Sequence, residues 1–413
     1  MFRQTSPALS LFPRPLPPGV INTGAYGKNM GLQEKLSILA GASKYDICST
    51  AGTRKTPWGN VCHSYTPDGR CVSLFKILQT NVCNMECMYC VNPVARRKAS
   101  FSPEEMARVF FSLYRQNVVD GLFLSSGIPG DPEDAMENTL ETVGLLRKKH
   151  GFRGYIHLKI LPGATLDQIR RGAEMADRLS VNMEAPSGTH LSEIAPQKDF
   201  KNDILLRQRW IYEVIGVKKR NGHREVGRVG GGGVVSGGQT TQLVVGASDE
   251  TDREILSQVY YAVRYRRMRR VYFSPFTPIP GTGLEKHPPA PRWRARRLYQ
   301  VEHLIRLYGY EKRELLPLFE GGDMLPDVDP KVLLAMKTFD GPVDINEADY
   351  STLIRVPGIG PRTARRILAL RENGGRVRSM RELQNMGCVV KRARPFVLLP
   401  GRNYQAALDR WAT

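Results

Sequence analysis

The chain has 413 residues, of which 41% are hydrophobic and 24% charged, an ordinary composition for a folded protein with one large and one smaller domain. Its 60 basic and 40 acidic residues give a formal net charge of +20, which favours a polyanionic partner, nucleic acid first and an anionic membrane surface second. No apolar run approaches the roughly 20 residues that a membrane span needs. The first residues also lack the apolar segment of a signal peptide, so we expect a cytoplasmic protein with no membrane partner.

The N-terminal segment, residues 1–29, is rich in proline and is expected to be a disordered tail, with Met30 as an alternative start. The seven cysteines are an odd number in a chain without an export signal. This argues against a disulfide framework and favours metal binding or catalysis for clustered thiols.

Strand and helix patterns alternate from residue 72 to residue 276. Capping boxes are predicted where three of the helices begin, at Ser102–Glu105, Thr165–Gln168 and Thr251–Glu254. The predicted strands are 72–78, 121–127, 154–160, 178–185, 242–247 and 270–276. Six strands separated by helices predict parallel βαβ units, in an open doubly wound sheet or a partial barrel, with the site in the loops after the strands.

Two segments interrupt this alternation. Residues 218–239 are basic and rich in glycine, and we expect a flexible insertion rather than a phosphate cradle because no dinucleotide-binding or Walker spacing is present. Residues 286–340 form a predicted helical connector. One face of its amphipathic helix is expected to be a docking surface, formed by Leu298, Val301, Ile305 and Tyr308.

The last segment, residues 341–413, is predicted to be a separate small helical domain. Residues 343–373 have the pattern of a helix, a tight glycine-rich turn and a second helix, and residues 379–397 are a weaker copy with Ser379 and Glu382 as its capping box. The segment has thirteen basic and six acidic residues. This excess predicts contact with nucleic acid.

The stretch QTNVCNMECMYC places Cys83, Cys87 and Cys90 in a C-x3-C-x2-C pattern directly after the first predicted strand of the α/β repeat. Three thiolates can hold a [4Fe–4S] cluster and leave one iron open, whereas electron-transfer clusters use four cysteines. Zinc is the alternative and would need a fourth ligand, such as His63 or an upstream cysteine. Structural zinc sites usually pair C-x2-C with a second such pair, which the chain lacks.

Three further cysteines, Cys48, Cys62 and Cys71, lie upstream. One hypothesis is an auxiliary iron–sulfur cluster or another metal, with His63 as a further ligand. The alternative is that they are buried and inert. Cys388 is expected to be structural.

The C-x3-C-x2-C pattern, with Tyr89 before the third cysteine, resembles the radical S-adenosylmethionine superfamily. The resemblance implies a partial (β/α)6 barrel resembling a TIM barrel. It also implies a [4Fe–4S] cluster whose open iron chelates S-adenosylmethionine, and an electron donor whose electron drives cleavage to methionine and a 5′-deoxyadenosyl radical. The cofactors would carry that chemistry while the protein orients them.

The same resemblance implies roles for residues at the strand ends. The turn of Ser125, Ser126 and Gly127 would bind the methionine amino group, although the family's usual Gly-Gly-Glu lacks its Glu here. Lys159 would meet the carboxylate. The remaining cofactor contacts would come from Asn182 and Glu184 at the ribose hydroxyls and from Gly246 beside the adenine.

VPGIGPRTARRIL resembles the helix-hairpin-helix motif of DNA repair and processing proteins. Gly358 and Gly360 would allow a tight turn whose backbone N–H groups point at a phosphate, and Arg362, Arg365 and Arg366 would add positive charge. Such contacts give salt-sensitive binding that does not depend on base sequence. The alternatives left open are a protein–protein hairpin here, and a further DNA contact or a solvated helix end for RYRRMRR at 264–270.

From about residue 30 to the end, the chain resembles a radical S-adenosylmethionine subfamily assigned to DNA modification or repair. The strings that carry this likeness include GYIHLKILPGA, RLSVNMEAP, APQK and SPFTPIPGT. The resemblance implies an α/β core over residues 30–285 followed by an all-α helix-hairpin-helix domain, duplex DNA as the partner, and a second protein resembling uracil-DNA glycosylase. Modification of tRNA or rRNA, and a non-catalytic iron–sulfur protein that binds nucleic acid, are the alternatives.

Overall fold

The computed structural model describes residues 30–43, 53–56, 59–65, 71–220 and 235–400. The expected N-terminal tail, Cys48 and most of the glycine-rich segment lie outside these residues. The chain divides into two compact units: unit 1 ends at Val181 and resumes over 201–239, and unit 2 comprises 182–200 and everything from Thr240 onward.

Unit 1 holds the first six strands, which pair in chain order. β1, β2 and β3 are antiparallel, whereas β3 to β6 are parallel. The antiparallel β1 and β2, which precede the first strand of the repeat, were not predicted by the sequence patterns. The elements are α1 (Leu32–Ala42), β1 (Thr53–Thr56), β2 (Gly59–Tyr65), β3 (Cys71–Leu78), α2 (Val91–Val94), α3 (Pro103–Arg115), β4 (Gly121–Ser125), α4 (Pro132–Lys148), β5 (Tyr155–Lys159), α5 (Leu166–Met175) and β6 (Arg178–Ser180).

The predicted capping boxes of unit 1 are confirmed. Ser102 and Glu105 cap α3 reciprocally, and Thr165 and Gln168 cap α5, because each side chain accepts a hydrogen bond from the other residue's backbone N–H. A π-helix over Phe200–Leu206 leads into a later helix, α7 (Arg207–Arg220). Residues 218–220 are therefore helical rather than part of a flexible insertion.

Unit 2 begins in a segment where the sequence prediction was too long. The strand predicted at 178–185 ends at Ser180, and Glu184 instead forms a single parallel bridge to Leu243 with a positive φ of 65°. The elements that follow are α6 (Gly188–Ile194), β7 (Gln239–Val245, whose first residue belongs to unit 1), α8 (Asp252–Arg264), β8 (Arg270–Pro275), α9 (Arg292–Leu307) and a 3-10 helix (Lys312–Phe319). β7 and β8 pair in parallel, and Thr251 and Glu254 form the predicted capping box of α8.

The connector helix α9 buries the predicted stripe: Leu298, Val301 and Ile305 are fully enclosed. The fourth residue of the stripe, Tyr308, is half-buried, so the predicted face is one that packs against other parts of unit 2.

The C-terminal region of unit 2 is helical, with one small β pair. It contains α10 (Pro330–Thr338), β9 (Val343–Asp344), α11 (Tyr350–Leu353), α12 (Pro361–Glu372), α13 (Met380–Asn385), α14 (Val390–Ala393), a 3-10 helix (Arg394–Phe396) and β10 (Val397–Leu398). The sequence patterns did not predict β9 and β10, two strands of two residues each that pair in parallel among the helices.

The core of this region includes Ala335 of α10, with Val332 and Tyr308 packed against it, so the hairpins and the end of the connector share one core. Ser379 caps α13, but Glu382 accepts from the N–H of Arg378 instead of closing the predicted capping box.

The predicted fold class is confirmed. β3 to β8 are six strands that alternate with helices, as in a partial (β/α)6 barrel, and a helical helix-hairpin-helix region follows. Among the described residues, no helix is long and apolar enough to cross a membrane.

Candidate active site and nucleic-acid interface

The loop of residues 79–90, the cysteine loop, follows β3 and is bound to the turn that follows β4. Backbone hydrogen bonds of 2.7–2.8 Å join the two at three places: Gln79 N–H to Ser125 O, Gly127 N–H to Thr80 O, and Asn84 N–H to Ile128 O. The backbone at the start of the loop is thus fixed by unit 1 itself.

Gly127 is required by this contact. A Cβ at position 127 would lie 2.4 Å from the carbonyl oxygen of Val82 and 3.2 Å from Cβ of Cys83. The Ser126 hydroxyl donates to the Gly127 carbonyl at 2.7 Å, and the Ser125 carbonyl is occupied by Gln79. The turn that the resemblance assigns to the methionine amino group therefore also supports the cysteine loop, which the sequence alone did not reveal.

Cys83, Cys87 and Cys90 are free, half-buried thiols of this loop. Cys90 donates its backbone N–H to the Cys87 carbonyl at 2.9 Å, and its sulfur accepts the N–H of Asn92 at 3.4 Å. Tyr89 is half-buried beside them. No three metal-binding side chains converge on one point in the part of the chain that the structure describes. The donor set of three free thiols on one anchored loop fits a cluster held at three irons.

The two upstream cysteines that the structure describes are in different chemical states. Cys62 is buried and disulfide-bonded, whereas Cys71 is an exposed free thiol. Cys62 therefore takes part in a disulfide that the cysteine pattern did not predict, and its sulfur is not available to the hypothetical auxiliary metal site. His63 is half-buried, and Cys48 lies outside the described residues.

Lys159 is the last residue of β5 and is half-buried, with Ser180 of β6 as its register partner. It lies at the carboxyl end of a parallel strand, as predicted for a residue that meets the cofactor carboxylate.

Glu184 is strained and enclosed. It is 6% exposed, has a φ of 65°, and its Oε1 lies 3.5 Å from Nζ of Lys198. Its Oε2 is buried and has no hydrogen-bond partner among the described atoms. A non-glycine residue held at positive φ with a half-satisfied carboxylate is typical of a binding site. Asn182 is half-buried. Lys198 was missed as a site residue, although it lies in the quoted string APQK.

Gly246 has a φ of 78°, and a Cβ there would lie 2.7 Å from Cβ of Ala290. Its N–H donates to the Glu250 carboxylate at 2.6 Å. Glu250 is in turn paired with the buried Arg294, which also binds Asp252. An ion-pair network therefore fixes the turn in which the resemblance places the adenine.

The first hairpin turn lies between α11 and α12. Gly358 has a φ of 82°, and a Cβ there would be 2.5 Å from the Val389 carbonyl oxygen, so only glycine fits. Gly360 is the N-cap of α12 and has no side chain to cap it. Within the described residues, the backbone N–H groups of Gly358 and Gly360 form no hydrogen bond. They remain available as donors at a helix N-terminus, as the motif predicts.

The second hairpin packs against the first in a reciprocal way. Gly387, with a φ of 90°, faces Arg366 and Thr363 of α12, while Gly358 faces the start of α14. The second turn differs because Val389 N–H is consumed by the Gly358 carbonyl at 2.9 Å. The N–H of Gly387, the glycine of the second turn, also donates to the Gln384 carbonyl at 2.8 Å, whereas the first turn keeps the N–H groups of Gly358 and Gly360 available.

The arginines of α12 are not equivalent. Arg362, Arg365 and Arg366 are all exposed, but Arg366 donates to the Met386 carbonyl at 3.0 Å and so also braces the second hairpin. In the basic run at 264–270, Arg264 pairs with Glu311 and Arg270 with Glu302.

Lys331 of α10 supports the first turn from behind. Its Nζ donates to the Ile359 carbonyl at 2.6 Å and lies 4.4 Å from the centre of the Tyr308 ring. Burial lowers the pKa of Lys331 to about 7, against the raising effect of Asp329. The turn is thus positioned by a lysine that the sequence patterns did not single out.

Comparison with known proteins identifies the same two regions. Residues 77–206 match the radical SAM superfamily and residues 340–388 match the helix-hairpin-helix motif. The chain therefore contains a radical SAM domain and a helix-hairpin-helix motif. No curated protein matches the sequence.

The solved structures that this chain matches are distant from it. The FeFe-hydrogenase maturase HydG from Carboxydothermus hydrogenoformans is 13% identical, with a TM-score of 0.40 over 56% of this chain and 51% of that one. Streptococcus suis SuiB bound to S-adenosylmethionine is 9% identical, with a TM-score of 0.41 over 56% and 47%. A radical SAM methyltransferase from Sphaerobacter thermophilus is 17% identical, with a TM-score of 0.40 over 62% and 72%. The chain spans about half the length of the first two.

Proposed function

We propose that this chain, with its radical SAM domain and its helix-hairpin-helix motif, is a radical SAM enzyme that modifies or repairs duplex DNA. One observation carries the proposal. The same chain holds an anchored loop of three free thiols and a hairpin turn with available backbone N–H groups beside exposed arginines.

Cys83, Cys87 and Cys90 would hold a [4Fe–4S] cluster. When bound, that cluster supplies the electron that cleaves S-adenosylmethionine into methionine and a 5′-deoxyadenosyl radical. The chain's own contribution is to fix the loop: Gly127 lets the turn after β4 approach its backbone, and the bonds at Gln79 and Asn84 hold it in place. A fixed loop backbone would limit the positions that the three sulfurs can take.

The remaining cofactor contacts would be divided between charged and backbone groups. Lys159 would bind the carboxylate of S-adenosylmethionine. In unit 2, the unpartnered Oε2 of Glu184 would accept a hydrogen bond from a ribose hydroxyl, while Lys198 balances its charge. Gly246 would admit the adenine because it has no side chain of its own.

The hairpin would hold DNA by its backbone phosphates. The N–H groups of Gly358 and Gly360 would donate to one phosphate, and Arg362 and Arg365 would add charge nearby. Such binding tethers the radical SAM domain to duplex without reading sequence. The substrate atom would then be selected in the radical SAM domain, where a base or sugar must reach the cofactor.

The proposed function requires an external electron donor, since one-electron cleavage consumes an electron that the chain does not make. The second partner implied by the resemblance, a protein like uracil-DNA glycosylase, has no support from the comparisons.

The proposal is tested by two measurements on anaerobically reconstituted full-length protein. The first is the electron paramagnetic resonance spectrum of the reduced cluster with and without S-adenosylmethionine, which we expect to change because the open iron binds it. The second is competition between labelled duplex DNA and tRNA, in which we expect duplex to win.

Each measurement has a contrary result. A spectrum that S-adenosylmethionine leaves unchanged would indicate a non-catalytic iron–sulfur protein that binds nucleic acid. Displacement of duplex by tRNA at lower concentration would indicate modification of tRNA or rRNA.

A further inference from the structure

Two exposed aromatic rings lie side by side at the end of α8. Tyr261 is 42% exposed and Tyr265 is 62% exposed, and no other aromatic side chain that the structure describes is as open to solvent. Their ring centres are 5.2 Å apart and the ring planes are tilted by 36°. We call these two side chains the tyrosine pair.

The packing of α8 does not need the tyrosine pair. The helix is held through Ile255, Leu256 and Val259, which are buried. Tyr261 follows Val259 by two positions and therefore projects from the opposite side of the helix. Tyr265 donates its N–H to the Tyr261 carbonyl at 2.9 Å, so it lies one turn later on the same side. Two adjacent rings that a helix leaves outside its packed face are typical of a binding surface.

Arginines follow the tyrosine pair directly in the chain. The guanidinium of Arg266 lies over the Tyr261 ring, 5.5 Å from its centre. Arg267 and Arg269 are exposed, and neither forms an ion pair with another residue that the structure describes. Arg267 also has a φ of 50°, in the left-handed region where glycine would be unstrained. An arginine held in that region is typical of a functional position.

Two acidic side chains near this end of α8 are paired with other cations. Glu311 accepts a hydrogen bond from Arg264 at 3.0 Å and another from the Tyr260 hydroxyl. Glu302 lies 3.4 Å from the guanidinium of Arg270. The three arginines that follow the tyrosine pair therefore keep a local excess of positive charge.

Exposed rings beside arginines fit a single strand of nucleic acid better than a duplex. An unpaired base offers its flat face to an aromatic ring, whereas a base inside a duplex is covered by its neighbours. Guanidinium groups bind the phosphates of the same strand through charge-assisted hydrogen bonds. The net charge of +20 favours such a polyanion over a protein partner.

A short series of bonds within unit 2 connects the tyrosine pair to the first hairpin turn. Arg264 is bound to Glu311, whose N–H donates to the Glu314 carboxylate at 2.8 Å. Glu314 in turn accepts a hydrogen bond from Arg355 at 2.6 Å. Arg355 lies three residues before Gly358. A duplex at the turn and an unpaired strand at the tyrosine pair would therefore contact connected parts of the same unit.

We propose that the tyrosine pair, with Arg266, Arg267 and Arg269, binds the unpaired bases of a DNA strand by stacking. The inference rests on the proposed function in one respect, which is that the partner is DNA. It adds that the protein engages DNA where a strand leaves the duplex, and that is where a base becomes accessible to an enzyme.

The test is a binding measurement that needs no turnover. Reconstituted full-length protein is titrated into a fluorescently labelled oligothymidylate of about 16 nucleotides, and binding is followed by anisotropy. The comparison strand is abasic and of the same length, so it has the phosphates but no bases. We expect oligothymidylate to bind about tenfold more tightly or better, because each stacked base adds affinity.

Variants of the tyrosine pair separate stacking from charge. Tyr261→Ala combined with Tyr265→Ala should remove the preference for oligothymidylate, whereas the two Tyr→Phe changes should keep it because the rings remain. Duplex binding should be unchanged in both double variants. Arg267→Ala should weaken binding of the two strands alike, since both have phosphates, and Arg108→Ala on α3 should weaken neither.

Three results would overturn the inference. They are equal affinity of the wild type for oligothymidylate and the abasic strand, an unchanged preference in the double alanine variant, and tighter binding of oligouridylate than of oligothymidylate. The first needs no variant, so it decides even where a variant fails to fold. Failure here leaves cluster formation and duplex binding untouched, so it is distinguishable from failure of the proposed function.

Discussion

Gly127 beside the cysteine loop and Gly358 in the first hairpin turn face the same steric demand. A Cβ would lie 2.4 Å from the Val82 carbonyl oxygen in one case and 2.5 Å from that of Val389 in the other. The two regions differ in which atoms carry the chemistry. The loop presents thiol side chains on a fixed backbone, whereas the turn presents the backbone N–H groups themselves.

This difference predicts how each region fails. A single side-chain truncation should abolish the function of the loop while its backbone persists. In the hairpin, the same kind of truncation should have a graded effect, and only a change that moves the backbone should be severe.

The largest expected effect is at Cys87. Cys87→Ala should reduce 5′-deoxyadenosine formation to background, because the cluster would lose one of its three ligands. Duplex binding, measured by fluorescence anisotropy, should be unchanged because the hairpin lies elsewhere in the chain. Cys71→Ala is the control: it removes an exposed thiol outside the loop and should keep full iron content. If Cys87→Ala still cleaved S-adenosylmethionine, the loop would not act through its three thiol side chains.

A backbone change at Gly358 should be the most damaging one in the hairpin. Gly358→Ala combines the strain of a positive φ with a clash against Val389, for which we expect a loss of about 2–4 kcal/mol in the stability of the region and much weaker duplex binding. Gly374→Ala is matched, since Gly374 has a φ of 74° and open space around it. Thermal unfolding and fluorescence anisotropy should show larger losses of stability and of duplex binding in Gly358→Ala than in Gly374→Ala. Equal losses in the two variants would show that the positive φ, and not the clash with Val389, causes the damage.

The corresponding change beside the loop should affect the cluster instead. Gly127→Ala should destabilise the chain by about 1–3 kcal/mol and lower the iron content after reconstitution, because the turn must move away from Val82. Gly130→Ala, where no atom lies within 4 Å of the added Cβ, should behave as wild type. Full iron content in Gly127→Ala would mean that the turn does not support the loop.

A smaller effect is expected from a single arginine of the hairpin. Arg362→Ala should weaken duplex binding uniformly across sequences and reduce the slope of log affinity against log salt by about 1. Arg108→Ala, exposed on α3, should change neither. A sequence-dependent loss would show that the hairpin reads bases rather than phosphates.

The smallest effect concerns pH. The pKa of Lys331 is about 7 in the folded chain and 10.5 ordinarily, so the unfolded chain binds more protons between these values. The free energy of unfolding should therefore rise with pH through that window, and Lys331→Met should remove this increment. The test is the melting temperature of wild type and of Lys331→Met, measured from pH 7 to pH 10. Lys337→Met, a change on the same helix, is the control. A parallel pH dependence in wild type and Lys331→Met would contradict it.

Local signals in the sequence were enough to predict the parallel repeat and where its helices begin. The capping boxes at Ser102, Thr165 and Thr251 depend on residues three apart, and the structure has all three. The box predicted at Ser379 is not formed, because Glu382 accepts the backbone N–H of Arg378 instead of that of Ser379. Such competition between neighbouring donors is not visible in a pattern.

The features that needed the structure are those made by distant residues. Gly127 is constrained by Val82, Glu184 is paired with Lys198, and Lys331 reaches Ile359. Each contact depends on how elements pack, which no local spacing encodes.

The most direct test of the central claim is 5′-deoxyadenosine formation by reconstituted protein with reductant and S-adenosylmethionine, with and without duplex DNA. We predict that duplex DNA stimulates its formation and that Cys87→Ala abolishes it. Formation stimulated by tRNA but not by duplex would contradict the DNA substrate. No deoxyadenosine from protein with an intact cluster would contradict a radical enzyme altogether.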